Sequence, residues 1–293
     1  MKKLLITGAS GFFGWNLCQL ANDDWQIFGI VNTHSFRQEN IQIVSLDLTQ
    51  YQDLKRVISE VKPDCVIHAA AISDANQCEK YPEVSYKVNV TATANLAGLC
   101  SDLGVPAAFI STDLIFNGTS PPYSENDQPN PVNRYGEQKA QAELEIESRY
   151  PAMTIARLPL MYGVRGPFSH NFFEGFLKQM QSGNELKLFT DEYRSLVDVA
   201  SAIEGVFLAL DQFQGKIHLG GHQSVSRYEF GEMMAEVFEI DDPKIIPTRQ
   251  SDIPMAAARP ANVSLDSSKA FAAGYDPLSP AEGIQRVRDQ LVK

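Results

Sequence analysis

Residues 7–14 read Thr7-Gly8-Ala9-Ser10-Gly11-Phe12-Phe13-Gly14, directly after the apolar run Leu4 to Thr7. Three glycines at a spacing of three, set between a strand and an amphipathic stretch, predict a strand-turn-helix that grips an anion. Gly8 permits a tight turn, Gly11 lets the backbone approach a pyrophosphate, and Gly14 allows close helix-strand packing. The free N–H groups and dipole of the helix N-terminus then favour negative charge. This pattern is a dinucleotide-binding signal because of where it sits in the chain.

The chain continues in the same rhythm. Gln26 to Val31, Ile41 to Leu46, Cys65 to Ala71, Ala107 to Ser111 and Thr154 to Leu158 read as buried strands. Helical stretches lie at Phe12 to Ala21, Tyr51 to Val61, Glu83 to Leu103 and Arg134 to Ser148. Near-continuous apolar strands alternating with helices predict an α/β protein with a Rossmann-type, doubly wound parallel sheet. After Pro159 the rhythm breaks at Gly163, Gly166 and Pro167; helical stretches follow at Phe172 to Gln181 and Arg227 to Phe238, and Leu196 to Leu219 reads as helix plus strand returning to the sheet. The expected organisation is a dinucleotide-binding domain over 1–158, to which 196–219 returns. A smaller α/β substrate domain would comprise 159–195 and 220–293.

The 293 residues carry 25 Lys and Arg against 36 Asp and Glu, a net charge of -11. Such a field repels phosphate backbones and anionic membranes, so neither nucleic acid nor membrane is an expected partner. Cys18, Cys65, Cys78 and Cys100 form no C-x-x-C pair, and two of them fall in apolar runs. Reduced, packed cysteines and a cytoplasmic location are expected. The five histidines lack metal-ligand spacing, so no metal site is expected; His68, within a strand, reads as a core residue.

Cofactor choice turns on the end of the second strand, which reads V-N-T-H-S-F-R from Val31. Asn32 stands where NAD-selective proteins place a carboxylate, and no carboxylate occurs before Glu39. A neutral amide does not repel a 2′-phosphate, and Ser35 and Arg37 could bind one. NADP(H) is therefore preferred, with NAD(H) still compatible. Farther on, Ser111-Thr112-Asp113 closes the fifth strand, and Tyr135 and Lys139 stand four residues apart on one face of the next helix.

The G-x-x-G-x-x-G loop resembles that of the extended short-chain dehydrogenases/reductases. In that superfamily Tyr135 would transfer the proton. Lys139 would hold the nicotinamide ribose and lower the phenol pKa, and Thr112 would hydrogen-bond the substrate oxygen. Longer blocks narrow the resemblance to the dTDP-4-dehydrorhamnose reductase family: P-D-C-V-I-H-A-A-A (63–71), S-T-D-L-I-F-N-G (111–118), P-V-N-R-Y-G-E-Q-K (131–139), R-L-P-L-M-Y-G (157–163), H-N-F-F (170–173) and R-P-A-N-V-S-L-D-S-S-K (259–269). It implies that Ser10, Phe12, Ala69, Ala70, Ala71 and Arg157 also line the cofactor. Asp47 and Leu48 would stand at the adenine edge, Asp47 having a helix N-cap as its alternative. Asn89 would relay protons or support the lysine, or else be a partly buried polar group of its helix.

On the substrate side the resemblance implies Ser73, Asn76, Thr112, Asn171, Arg194 and Arg259. The two arginines suit a diphosphate or, alternatively, domain-linking salt bridges; Asn171 suits a sugar contact or a helix cap. Asn76 stands where these reductases usually have aspartate, and D-E-Y-R-S-L-V-D-V (191–199) replaces their usual D-Q-x-G-x-P-T run. The expected function is an NADP(H)-dependent reductase of the 4-keto group of a nucleotide-activated sugar, with a homodimer left open. An epimerase or dehydratase is an alternative, although Asp113 is followed by Leu114 and not by the glutamate that dehydratases carry. A third reading follows from similarity to the regulatory β subunit of methionine adenosyltransferase, which binds NADP and acts mainly as a partner.

Overall fold

The computed structural model describes residues 1–21 and 25–292. Six strands, β1 (Lys2–Thr7), β2 (Trp25–Val31), β3 (Ile41–Ser45), β4 (Cys65–His68), β5 (Ala107–Thr112) and β6 (Thr154–Leu158), join a seventh, Gly215–His218. Their order is Gly215–His218, β6, β5, β4, β1, β2, β3, and every neighbouring pair is parallel. Strand order reverses between β1 and β4, which opens a crevice at their carboxyl ends, where α/β sheets of this topology bind ligands.

Alternating side chains feed two cores. Leu4 and Ile6 pack with Phe13 and Leu17 of the first helix and with Ala202 and Val206. Leu5, Val66 and Phe109 pack on the opposite face with Leu54, Ile58, Leu96 and Ile146. Burial on both faces is what the near-continuous apolar strands required. The segment after the break at Pro159 contributes the helix Val199–Gln212 and the Gly215–His218 strand to the sheet.

Two expected elements differ from those observed. The strand expected to run to Ala71 ends at His68, because its partner β1 ends at Thr7 and turns into the glycine loop. The single helix expected over Glu83 to Leu103 begins at Pro82 and contains a π-helical turn, Lys87–Thr91, before Ala92–Leu103. Asn89 lies in that turn.

A third apolar cluster, including Phe173, Leu177, Leu188, Phe230, Met234 and Ile284, builds the remaining part of the chain. There Leu186–Phe189 pairs with Ile245–Thr248, and Tyr193–Arg194 pairs antiparallel with Val225–Ser226. The tail is tied back to the segments that follow the central strands β4 and β5: Ala257 N donates to Asn76 Oδ1 at 3.0 Å, and Asn133 Nδ2 donates to Ala258 O at 2.9 Å. These two bonds bring Arg259 toward the end of β5.

Candidate functional site

The glycine loop has the geometry its spacing predicts. Gly8 adopts φ 72°, and a Cβ there would stand 2.7 Å from the Ala70 backbone. A Cβ on Gly14 would overlap the Gly8 carbonyl, so the first helix can pack this closely only with glycine there. Gly11 is different. It is the N-cap of the helix Phe12–Leu20 in extended conformation, and its added Cβ would meet only Gly8 O at 3.2 Å. No side chain caps this helix and no acidic residue sits in its first turn. The N-terminal N–H groups thus have no side-chain acceptor, an arrangement that suits an anion.

At the carboxyl end of β5, Thr112 precedes a short 3-10 turn, Asp113–Ile115. The helix Arg134–Arg149 is capped by Asn133, whose side chain accepts from Gly136 N at 2.9 Å. Gly136 explains how that helix reaches Thr112: any Cβ there would overlap the Leu114 carbonyl. Tyr135 and Lys139 are consequently buried beside β5, at 8 % and 2 % exposure.

Lys139 Nζ donates to Ile110 O at 2.6 Å and stands 3.7 Å above the Phe109 ring. Burial pushes its ammonium down to about 7, and the Glu143 carboxylate opposes that fall. Tyr135 does not show the lowering expected from Lys139. Burial holds its phenol well above the ordinary value, with Cys78 and Asp113 adding to the rise and the Thr112 hydroxyl opposing it. The phenol is therefore kept protonated, as a proton donor must be.

Asn89 takes a positioning place. Its Oδ1 accepts from Ile72 N at 2.8 Å, while its Nδ2 donates to Ile72 O at 3.0 Å and to Gln138 Oε1 at 2.9 Å. It clamps the segment after β4 to the helix bearing Tyr135, and its side-chain hydrogen bonds go to Ile72, Gln138 and Cys78 Sγ, not to Lys139.

Around the crevice, Ala69, Ala70 and Ala71 are half-buried beside Thr7, and Ser10 and Phe12 are half-buried in the glycine loop. Asn32 and Arg37 are exposed just after β2. Leu48 is a core residue. Asp47 does not cap a helix: its Oδ1 accepts from Thr49 N and Thr49 Oγ1, and the next helix begins at Tyr51 after Gln50. Those bonds hold its carboxyl below the usual range.

Arg157 must be reassigned. It is 0 % exposed, bound to both oxygens of Glu143, 3.2 Å from His218 Nε2, and 5.4 Å from the Phe116 ring centre, so it cannot touch a cofactor in the crevice. His68 is the core residue expected. It bridges Thr7 and Thr93, and burial pushes its imidazole down to about 3. All four cysteines are buried and free.

The substrate-side residues divide. Ser73 is exposed. Asn76 bonds the Ala257 backbone. Asn171 caps the helix Phe172–Gln181 by accepting from Glu174 N, and donates to Gly163 O. Arg194 is 3 % exposed, its Nε 3.4 Å from Asp113 Oδ2 and its Nη2 3.5 Å from Glu192 Oε1. It joins two parts of the chain and is not open as a bare phosphate clamp. Arg259 makes no ion pair among the described residues, and its Nη1 is buried without a partner.

Sequence reasoning missed Arg227. Its guanidinium lies 3.9 Å from the Phe172 ring centre and 4.0 Å from Glu192 Oε1; burial pushes its pKa down to about 10, Glu192 opposes that fall, and Arg194 and Arg259 add to it. Three arginines thus outnumber the two carboxylates, Asp113 and Glu192. Among the described residues, the only buried side-chain polar atoms without partners are Asp113 Oδ2, Arg227 Nη1 and Arg259 Nη1. All three belong to this cluster. The one signal for Arg227 is the capping box of Ser226 and Glu229, which fixes the helix start but says nothing about what its first residue touches.

A glycine-loop crevice in a seven-stranded parallel sheet, with threonine, tyrosine and lysine gathered at the end of β5, defines an extended short-chain dehydrogenase/reductase. The chain belongs to the family described as RmlD substrate binding domain, whose model matches residues 1–292. It is 30% identical over 269 residues to a probable low-salt glycan biosynthesis reductase of Haloferax volcanii, covering 90% of this chain and 89% of that one. It is 25% identical over 287 residues to methionine adenosyltransferase 2 subunit beta of Bos taurus, covering 95% and 84%. The crystal structure of dTDP-4-dehydrorhamnose reductase from Bacillus anthracis in complex with NADP superposes with a TM-score of 0.88 at 25% identity, covering 99% of this chain and 100% of that one.

Proposed function

We propose that the protein is an NADP(H)-dependent reductase of the 4-keto group of a nucleotide-activated sugar. The observation that carries this reading is the burial of Thr112, Tyr135 and Lys139 together at the carboxyl end of β5. The reductase named among its relatives, and the NADP named in the structural one, support it. Gly8, Gly11 and Gly14 hold the pyrophosphate, Asn32 and Arg37 face the adenosine ribose, and Lys139 holds the nicotinamide ribose. The cofactor, when bound, supplies the hydride. Tyr135 gives its phenolic proton to the carbonyl oxygen as that oxygen gains charge, and Thr112 orients the carbonyl. The unpartnered guanidinium N–H groups of Arg227 and Arg259 suit the diphosphate, with Arg194 adding charge.

A non-catalytic, cofactor-holding subunit is the second reading, favoured by the likeness to the methionine adenosyltransferase subunit along nearly the whole chain. NADPH oxidation against a panel of nucleotide-linked 4-keto sugars separates the two. Turnover of one of them supports the reductase, whereas tight NADPH binding without turnover of any supports the subunit. NADPH is expected to bind more tightly than NADH, and equal affinities would remove the argument built on Asn32.

Gly11→Val is expected to fold and to lose NADPH binding. Its φ of -75° and ψ of 172° suit valine, but the side chain fills the space before the helix N-terminus. Calorimetry giving wild-type affinity for a variant with wild-type melting temperature would sink the loop assignment.

A further inference from the structure

Asp113 stands between Thr112 and Arg194 and is 2 % exposed. Its Oδ1 accepts from Thr112 Oγ1 at 3.2 Å, and Leu114 N donates to the same Thr112 oxygen at 3.2 Å. Oδ2 faces Arg194 Nε at 3.4 Å and accepts no hydrogen bond. Arg194 gives its hydrogen bonds to the carbonyl oxygens of Tyr193 and Pro260. Two facts follow. The single proton of Thr112 is drawn to Asp113 and to the Tyr135 phenol oxygen, so it is not free for a substrate carbonyl, which can only accept. Asp113 also keeps a buried acceptor oxygen that needs a donor.

We infer that Asp113 is a positioning and specificity residue that accepts a hydroxyl group of the substrate, borne on the carbon beside the reacting carbonyl. This inference rests on the reductase reading. A hydroxyl donated to Oδ2 satisfies the carboxylate and weakens its hold on the Thr112 proton. The Thr112 hydroxyl can then turn to the carbonyl oxygen while the Leu114 N–H still anchors its oxygen. A sugar with the hydroxyl thus aligns its own carbonyl, and a deoxy sugar leaves both Asp113 and Thr112 misdirected. The charged and titratable groups around Asp113 are Arg194, Glu192 and Tyr135. Burial pushes the carboxyl up to about 6, while Arg194 and the Thr112 bond pull it down and Glu192 pushes it up.

The test compares two nucleotide-linked 4-keto sugars that differ only in the hydroxyl next to the carbonyl. The wild type is expected to prefer the hydroxylated sugar in kcat/KM by about 10- to 100-fold, the range for a hydrogen bond to a charged group. In Asp113→Asn one oxygen can still accept from Thr112, but the charge and the second acceptor are gone. That preference is expected to collapse to a few-fold, with the loss confined to the hydroxylated sugar, and retained NADPH binding shows that the variant folds. A merely structural role for Asp113 lowers both sugars alike and leaves the ratio unchanged, which overturns the inference while the reductase reading stands. If Asp113→Asn does not fold, the wild-type ratio decides: indifference to the hydroxyl overturns the inference by itself. Absence of turnover with either sugar, or with any of the wider panel, removes both readings.

Discussion

Tyr135→Phe is expected to lower turnover by about 10²–10⁴, the loss typical of a missing general acid, while NADPH affinity stays nearly unchanged. The phenol is buried among Ala75, Cys78 and Ala257, so phenylalanine fills the same space and the fold is retained. Only the hydroxyl, and with it the transferable proton, is removed. Lys139→Met is expected to damage both turnover and cofactor affinity. It deletes an ammonium that donates to Ile110 O and is proposed to hold the nicotinamide ribose. Thr112→Val is expected to act on turnover alone. Steady-state kinetics and calorimetry on the three variants give the pattern, which matters more than any single value. Full turnover by Tyr135→Phe would place the proton donor elsewhere.

Glu143→Ala is expected to destabilise the fold by about 3–5 kcal/mol, the loss seen when one partner of a buried ion pair is removed. Arg157 and Glu143 are 0 % and 1 % exposed, and the guanidinium meets both carboxylate oxygens. Ser111 donates to the same carboxylate. Without Glu143, Arg157 keeps only His218, which burial pushes down to about 3 and so holds neutral, and the face of Phe116. Replacing both members, as Glu143→Leu with Arg157→Met, is expected to cost much less, because no charge is then stranded. Urea unfolding of the single and double variants measures the difference. A single-variant loss below about 1 kcal/mol would show that water reaches Arg157.

The contrast between these two positions shows what a linear pattern conveys. Tyr135 and Lys139 were legible because a helix puts residues four apart on one face, whatever surrounds it. Arg157 sits in an equally telling block, R-L-P-L-M-Y-G, yet its side chain points into the protein. Its partner Glu143 comes from the middle of the preceding helix, one turn beyond Lys139, a pairing no local spacing encodes. The fall of the Lys139 pKa and the rise of the Tyr135 pKa are likewise products of burial, which depends on what packs around each group.

The sequence by itself determined the order of strands and helices, the glycine loop and the tyrosine-lysine face, since each depends on period, on backbone freedom or on neighbours within a few residues. Even there it overran the end of β4 and missed the π turn at Asn89, because strand length is set by the partner strand and the turn sits where Asn89 reaches Ile72 and Gln138. The buried charge cluster proposed to meet the substrate was decided only by tertiary structure. Asp113, Glu192, Arg194, Arg227 and Arg259 lie up to 146 positions apart in the chain, and they meet because Tyr193–Arg194 pairs with Val225–Ser226 and the tail is tied to Asn76 and Asn133. Whether an arginine is a surface charge, a buried tie or an open hand for an anion depends on which other charges reach it. Those distances exist only once the chain has folded.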